Sequence, residues 1–342
     1  MPYSNILIIQ TAFIGDVILA LPVAQNLRQN YPHSKIHFLV REGNQNLLQN
    51  HPAVDCIWSW HKQKHKWKNW VELYKKLRCC SFDLIINLQR HFAMGLLTFL
   101  LKAKEKRGFS QSPFSFCYTY KIPHLLGEKN SLNFPHEVER NLNLLQNICS
   151  TYIKKPELYP SAEDYNIVAS YLAFRPFIVV APTSTWYTKQ YPLEKWKEFL
   201  SNVPLDLHIF IIGGQQDYMI GQKLLSCHPQ IINLAGKLTL LQTAALVQNA
   251  EQLFTNDSAP LHIGSAMQTP TSAIFTSTIP EFGFGPLSPH SKIIQTSENL
   301  QCRPCGKHGK KSCPQGHFRC AYSISTQQLL DTLRTNNYKK SK

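Results

Sequence analysis

The chain has 342 residues, 36 Lys+Arg against 21 Asp+Glu, and a formal net charge of +15. A hydrophobic share of 43% with 17% charged residues is enough apolar material for one or two cores, which excludes a disordered chain. The charge is lopsided: residues 1–155 hold 20 Lys+Arg and 9 Asp+Glu, a surplus of 11, and residues 156–342 hold 16 and 12, a surplus of 4. The first half is therefore the expected docking surface for an anionic partner: nucleic acid, an anionic membrane face or a phosphorylated glycan.

The start has no basic region, and Ile6–Ile9 is too short for the apolar core of a signal peptide. The most apolar window, 84–101, is interrupted by Asn87, Gln89, Arg90 and His91, so no spanning helix is expected. The expected compartment is the cytoplasm. There the ten cysteines read as reduced thiols or metal ligands.

In chain order, Ile6–Ile9 reads as a buried strand, 10–15 as a loop and 16–30 as a helix with Val17, Leu21, Ala24 and Leu27 on one side. Tyr31-Pro32 stops that helix. A strand is expected over 36–40, another over 83–88 and a helix over 93–101. Residues 108–133 read as loop and 137–150 as helix. Pro156 and Pro160 frame a linker. A second alternation follows, with strands over 177–181, 207–212, 252–255 and 271–275. Its helices are expected over 194–200, 240–248, 261–266 and 326–334, before a basic end. The pattern is two successive α/β domains with parallel sheets, and the natural ligand site is the cleft between them.

Six constellations carry candidate chemistry. Gly15-Asp16 lies at a strand-to-helix turn; Asp16 is either a helix-start carboxylate favoured by the dipole or a general base. Residues 181–192 follow a strand and precede a helix. Thr183, Ser184 and Thr185 with the loop amides can bind phosphate there, and Lys189 suits a diphosphate; the alternative is an ordinary polar loop. The stretch 255–262 brings Asn256, Asp257 and Ser258 to a helix start, as anion site or plain N-cap, with His262 about one turn on. Gly213-Gly214 permits close backbone approach, and Asp217 is placed to hold a ribose hydroxyl. No G-x-G-x-x-G fingerprint is present, which argues against a dehydrogenase. Cys302, Cys305, Cys313 and Cys320 form C-x2-C-x7-C-x6-C, which reads as a structural zinc site pinning a loop, as reduced loop cysteines, or as a redox-sensitive pair. The run 61–70, with Lys75, Lys76 and Arg78, interleaves cations with Trp58, Trp60, Trp67 and Trp70, as in a nucleic-acid or membrane-surface patch. The alternative there is a solvated helix face.

Together these pieces resemble glycosyltransferase family 9, the ADP-heptose:lipopolysaccharide heptosyltransferases, over nearly the whole chain. Ile6-Leu-Ile-Ile and Ile14-Gly-Asp-Val-Ile-Leu-Ala-Leu-Pro22 look like the family's strand–GD–helix opening. The stretch from Thr183 to Pro192 looks like its T-x(n)-K-x-W-P loop, with Tyr191 where Trp is usual. Asn256-Asp-Ser-Ala-Pro-Leu-His262 is similar to its N-D-[ST]-G-x-x-H motif, with Ala259 replacing Gly. Glu281-Phe-Gly-Phe-Gly-Pro286 and Cys302-Arg-Pro-Cys305 resemble the heptosyltransferase II subset.

The resemblance implies an α/β GT-B architecture of two Rossmann-like domains facing across a cleft. An acceptor domain would span 1–155 and a donor domain 156–325, carrying the Cys-rich loop 302–320. The tail 326–342 would be a helix packing back toward the first domain, then a basic end. It implies inverting transfer of heptose from ADP-heptose to the lipopolysaccharide inner core, with no cofactor required for catalysis. Asp16 would be the base and Lys189 the cation on the departing diphosphate. Ser184 and Thr185 would bind phosphate, Asp217 the ribose and Asp257 heptose hydroxyls. Amides of Ser258 and Ala259 would meet the diphosphate, and His262 would line the site. The partners implied are a lipid-anchored core acceptor and the anionic inner face of the inner membrane, met by the basic first domain, with no nucleic acid expected. The alternatives are another GT-B nucleotide-sugar enzyme, with a different donor or epimerase chemistry, and a zinc-stabilised nucleic-acid-binding protein.

Overall fold

Parallel strands covered on both faces need near-continuous apolar runs, and the opening Ile6-Leu-Ile-Ile supplies one with every side chain fully buried. The computed structural model describes residues 3–150 and 152–337. The chain divides into two compact units: Met1–Leu126 with Pro135–Tyr159, and Gly127–Phe134 with Pro160 onward. The main division thus falls at 159/160 rather than at 155/156.

In the first unit, β1 (Asn5–Ile9) is followed by α1 (Ile14–Asn30), β2 (Lys35–Arg41), β3 (Cys56–Trp60) and α2 (Lys66–Leu77). Then come β4 (Leu84–Asn87), α3 (Phe92–Leu100), β5 (Glu105–Phe109), β6 (Tyr120–Ile122) and α4 (Glu137–Leu142). The strands form one sheet of order β3-β2-β1-β4-β5-β6, every neighbouring pair parallel. Leu7, Ile9, Leu39 and Ile85 on one sheet face pack with Trp60, Trp70, Leu73, Met94 and Leu97, so α2 and α3 share that face.

Three expectations change here. Helix α1 is not one-sided: every residue from Val17 to Leu27 is buried. The 108–133 stretch is not all loop, since it holds the end of β5 and all of β6. These strands are polar because Arg107 is buried as a paired group: it is 4% exposed and paired with Glu105. The helix expected over 137–150 ends at Leu142, with a single 3-10 turn over Asn143–Leu145. Arg107 donates to the carbonyls of Leu144 (2.9 Å) and Gln146 (2.7 Å), which takes them from any continuing helix, and Asn147 has φ +67°.

In the second unit, α5 (Ala162–Leu172) precedes β7 (Phe177–Ala181), α6 (Leu193–Ser201), β8 (His208–Ile211), α7 (Tyr218–Gln222) and β9 (Ile231–Asn233). Then follow α8 (Leu240–Gln248), β10 (Gln252–Asn256), α9 (Ala259–Ala266), β11 (Thr271–Phe275), β12 (Lys292–Gln295), α10 (Arg319–Tyr322) and α11 (Thr326–Asn337). The sheet order is β12-β11-β10-β7-β8-β9, again all parallel. Both sheets therefore reverse direction between their first and fourth strands, and ligands of such sheets bind beyond the carboxyl ends at that switch point. The final helix is grouped with this unit. Leu329, Leu330 and Leu333 of α11 lie in the core with Trp196, Phe199, Phe254 and Ile294, because its apolar stripe packs against the apolar side of α6 and against β12. The basic end beyond it lies outside the described residues.

Residues 127–134 also belong to the second unit. Lys129 donates to Asn299 Oδ1 (2.9 Å) and the Leu300 carbonyl (3.1 Å). A Cβ on Gly127 would stand 2.1 Å from the Glu281 carbonyl oxygen, so that approach requires glycine. Among the described residues no helix is long and apolar enough to cross a membrane.

Candidate active site

The switch point of the second sheet lies between β7 and β10, where Thr255 pairs with Ala181. Asn256 ties the two loops that leave it. Its Oδ1 accepts from the Tyr191 N–H (2.8 Å), and its Nδ2 donates to the Pro182 carbonyl (2.9 Å) and the Thr183 carbonyl (3.3 Å). The side chain is fully buried, so it is a fastener for the loop rather than a ligand on the surface. Tyr191 is 1% exposed, packs edge-on against Trp196 at 5.4 Å and donates to the Ile324 carbonyl.

The loop so anchored delivers Lys189, whose Nζ is 2.6 Å from Asp257 Oδ2. Thr278 donates to the same carboxylate oxygen at 2.7 Å. Asp257 is 6% exposed and Thr278 1%. A lysine, a carboxylate and a hydroxyl thus converge from three strand ends. Next to them, Ser258 is the extended N-cap of α9, and the amides of Ser258 and Ala259 open that helix. Ser184 and Thr185 lie in the same β7 loop, the former half-buried and the latter exposed. His262 is 5% exposed and faces Phe284 edge-on at 6.5 Å.

Asp217 folds back on its own turn. Its Oδ2 accepts from the Gly214 N–H at 2.8 Å, and a Cβ on Gly213 would lie 2.8 Å from the Asp217 Cβ. In the first unit, Asp16 is the third residue of α1 and accepts from the Phe13 N–H at 3.2 Å. That is the geometry of a helix-start carboxylate. The loop before it is pinned by cations absent from the sequence reading of this site. Lys62 donates to the Thr11 carbonyl, and the Arg41 guanidinium lies 5.6 Å from the Phe13 ring centre. Burial, with Arg41 and Lys66 nearby, pulls the Lys62 ammonium down to about 8.

Sequence reasoning also missed what orders the Lys189 loop. Thr276, Ser277 and Thr278 follow β11 and are all buried. Thr276 donates to the Thr188 carbonyl (2.7 Å), and Ser277 to the Thr188 hydroxyl (3.0 Å). The Cys-rich loop closes over the same turn. Arg303 is 7% exposed and donates to the carbonyls of Thr276 (2.7 Å), Thr278 (2.8 Å) and Phe275 (3.2 Å), and to Gln295. The Lys310 N–H donates to the Thr188 hydroxyl, and the Thr188 N–H returns to the Lys310 carbonyl. Gly309, at φ +79°, sits so close that a Cβ would be 2.8 Å from the Lys189 Cγ. The signal for this was a run of three hydroxyls directly at a strand end.

The four thiols of that loop do not form a ligand set as they stand. Cys302 and Cys313 border a small apolar cluster of Leu300, Phe318, Cys320 and Ala321. Burial pushes the Cys320 thiol up to about 12 and raises that of Cys305. Among the described residues, no group of three or more His, Cys, Asp and Glu side chains is arranged to hold a metal ion.

The model of glycosyltransferase family 9 (heptosyltransferase) matches residues 70–315. The lipopolysaccharide core heptosyltransferase OpsX of Haemophilus influenzae is 26% identical over 284 residues, covering 80% of this chain and 79% of that protein. The crystal structure of the glycosyl transferase family 9 from Veillonella parvula superposes with a TM-score of 0.82 at 22% identity, over 99% of this chain and 98% of that one. The E. coli ADP-heptose lps heptosyltransferase II gives 0.78 at 19% identity, over 99% and 100%. These two likenesses establish the fold as GT-B. Since the family model spans more than two thirds of the sequence, the chain belongs to glycosyltransferase family 9, the heptosyltransferases.

Proposed function

We propose that the protein transfers heptose from ADP-heptose to the inner core of lipopolysaccharide, with inversion and without a catalytic metal. The reading is carried by one observation: Lys189 and Thr278 converge on Asp257 at the switch point of the second sheet, beside the start of α9.

Glycosyl transfer passes through an oxocarbenium-like state in which the leaving diphosphate gains charge. Fixed donors aimed at that charge lower the barrier without reorganising. Lys189 supplies a cation held in place by Asp257, and an ammonium has three donors, so it can engage phosphate without leaving its partner. The helix-start amides of Ser258 and Ala259, with Ser184 and Thr185, complete the phosphate cradle. The free oxygen capacity of Asp257 accepts from heptose hydroxyls. Asp217 takes the ribose and His262 lines the pocket wall. Asp16 accepts the proton of the acceptor hydroxyl; its place near the positive end of α1 favours the ionised form a base needs. Arg41 and Lys62 around that loop suit an acceptor bearing carboxylates and phosphates, at the cytoplasmic face of the inner membrane.

The Cys-rich loop enters this mechanism as a clamp on the Lys189 turn. A structural zinc ion there would require its thiols to converge, and zinc release from purified protein on thiol modification, followed with a chromogenic chelator, tests for one. The function itself is tested by assaying Asp16→Ala and Lys189→Ala with ADP-heptose and a core acceptor, with and without EDTA. Losses of at least 100-fold in both variants, with wild-type turnover kept in EDTA, are expected. Near wild-type rates in both variants would defeat the mechanism, and preference for another nucleotide sugar would reassign the donor.

A further inference from the structure

One surface of the first unit takes no part in the chemistry above. Helix α3 presents Phe92 and Phe99, seven residues apart and so on one side, and the loop after β5 lays Phe114 and Phe116 over them. The rings form one contact network: Phe92–Phe114 at 5.2 Å, Phe114–Phe99 at 5.8 Å, Phe99–Phe116 at 5.6 Å and Phe114–Phe116 at 5.9 Å. The seat is built for this. A Cβ on Gly95 of α3 would be 2.8 Å from the Phe114 ring, so the loop can settle on the helix only because that residue is glycine. Yet the product faces solvent: Phe116 is 67% exposed, Phe92 54%, Phe99 43% and the adjoining Leu100 40%. Scattered exposed apolar residues are ordinary, but a knit cluster of large ones is not.

Cations border the knob. The chain leaves α3 through exposed Lys102, and the Lys106 ammonium donates to the Phe99 carbonyl at 3.1 Å. Helix α2 is its neighbour on the same sheet face, joined by the Trp70 indole donating to the Ala93 carbonyl at 2.9 Å. The outer side of α2 shows Trp67, 51% exposed, and Val71, 43% exposed, between exposed Lys68, Lys75 and Lys76. Glu72 is the acid that breaks this run. Aromatic side chains among lysines match a bilayer interface, where rings enter the acyl boundary and ammoniums meet anionic headgroups.

We propose that the first unit docks on an anionic bilayer, with the four-phenylalanine knob of α3 inserting and the lysine face of α2 resting on the headgroups. The proposal deepens the reading of a lipid-anchored acceptor and rests on it for its purpose, not for its evidence. The charge surplus of 11 in residues 1–155 favours a lipid surface over an uncharged apolar partner.

The test is flotation of the full-length protein with vesicles of phosphatidylcholine alone and of equimolar phosphatidylglycerol and phosphatidylcholine. Phe99→Ser/Phe116→Ser should lose about tenfold in partitioning per ring on the mixed vesicles. Lys68→Ala/Lys75→Ala should lose about fivefold per lysine on the mixed vesicles and little on phosphatidylcholine. Unchanged melting, and unchanged transfer to a detergent-dispersed acceptor, show that the variants are folded. Vesicle binding retained by the phenylalanine variant overturns the proposal, as does a wild-type protein that does not float. A change seen only in oligomeric state by light scattering also overturns it, marking a contact between copies. Absence of heptose transfer by wild-type protein in detergent would instead remove the proposed activity, which flotation reads separately.

Discussion

Replacing Lys189 by Met, alone and with Asp257→Asn, separates what the pair does for the fold from what it does for the reaction. The two side chains are 15% and 8% exposed, so the pair is largely removed from water. Lys189→Met keeps the aliphatic stem but removes the countercharge, leaving the Asp257 carboxylate to accept from the neutral Thr278 hydroxyl. Removing one member of a buried ion pair costs about 3–5 kcal/mol, because the other charge stays desolvated. For a unit of this size that is a fall of roughly 6–20 °C in melting temperature. In Lys189→Met/Asp257→Asn the stranded charge is gone, and an amide can still accept from Thr278, so most of the loss should return. Catalysis should not follow. The leaving diphosphate lacks its cation in both variants, and loss of one such fixed donor costs about 100- to 1,000-fold in kcat. The assay is calorimetry or thermal melting beside steady-state transfer from ADP-heptose. Stability that returns while kcat stays low supports the division of labour. A single variant as stable as wild type, or a double variant that recovers activity, refutes the reasoning.

Arg303 holds three carbonyls at the end of β11, including that of Thr278. Arg303→Met should cost about 1.5–3 kcal/mol and raise KM for the donor more than it lowers kcat, read by a KM-against-kcat comparison. Glu137 is buried, which alone would raise its carboxyl, but hydrogen bonds and charge from His124 and Arg140 outweigh that and hold it below the usual range. A depressed carboxyl stabilises above its unfolded pKa and loses that stabilisation as pH falls through its folded value. Glu137→Gln should therefore melt lower at pH 7 by about 3 kcal/mol equivalent, and the gap should close below about pH 4. Lys62 is the opposite case. Its ammonium, pulled down to about 8, penalises the fold below that pH, and the penalty is relieved between about 8 and 10.4, the ordinary lysine value. Lys62→Met should therefore stabilise the first unit at pH 7, with the gain fading toward pH 10 in melting curves.

The sequence made legible those elements whose apolar pattern is uninterrupted. Ile6–Ile9, Phe177–Ala181 and Thr271–Phe275 are strands buried on both faces, and each reads as such without a partner in view. What escaped has its reason for burial in another part of the chain. Strand β5, Glu105-Lys-Arg-Gly-Phe109, has no apolar run to mark it, and its Arg107 is buried by pairing with Glu105 and capping two distant carbonyls. The site divides in the same way. Lys189, Asn256, Asp257 and Ser258 announce themselves by lying where strand ends meet helix starts. Thr278 and Arg303 do not, because each acts through a contact 21 to 28 residues away in sequence.

The cysteine cluster shows how far such contacts alter a reading. Spacing alone presented Cys302, Cys305, Cys313 and Cys320 as a feature with its own chemistry. In the folded unit the residues between them do the work that can be traced: Arg303 fixes the end of β11, Lys310 locks Thr188, and Gly309 lies against the stem of Lys189. The loop is therefore coupled to the lysine that would meet the diphosphate, whichever state its thiols adopt. A change in the thiols would reach the reaction by moving that clamp. It would then appear first in donor KM and in the melting of the second unit, and Arg303→Met should reproduce it with all four cysteines intact.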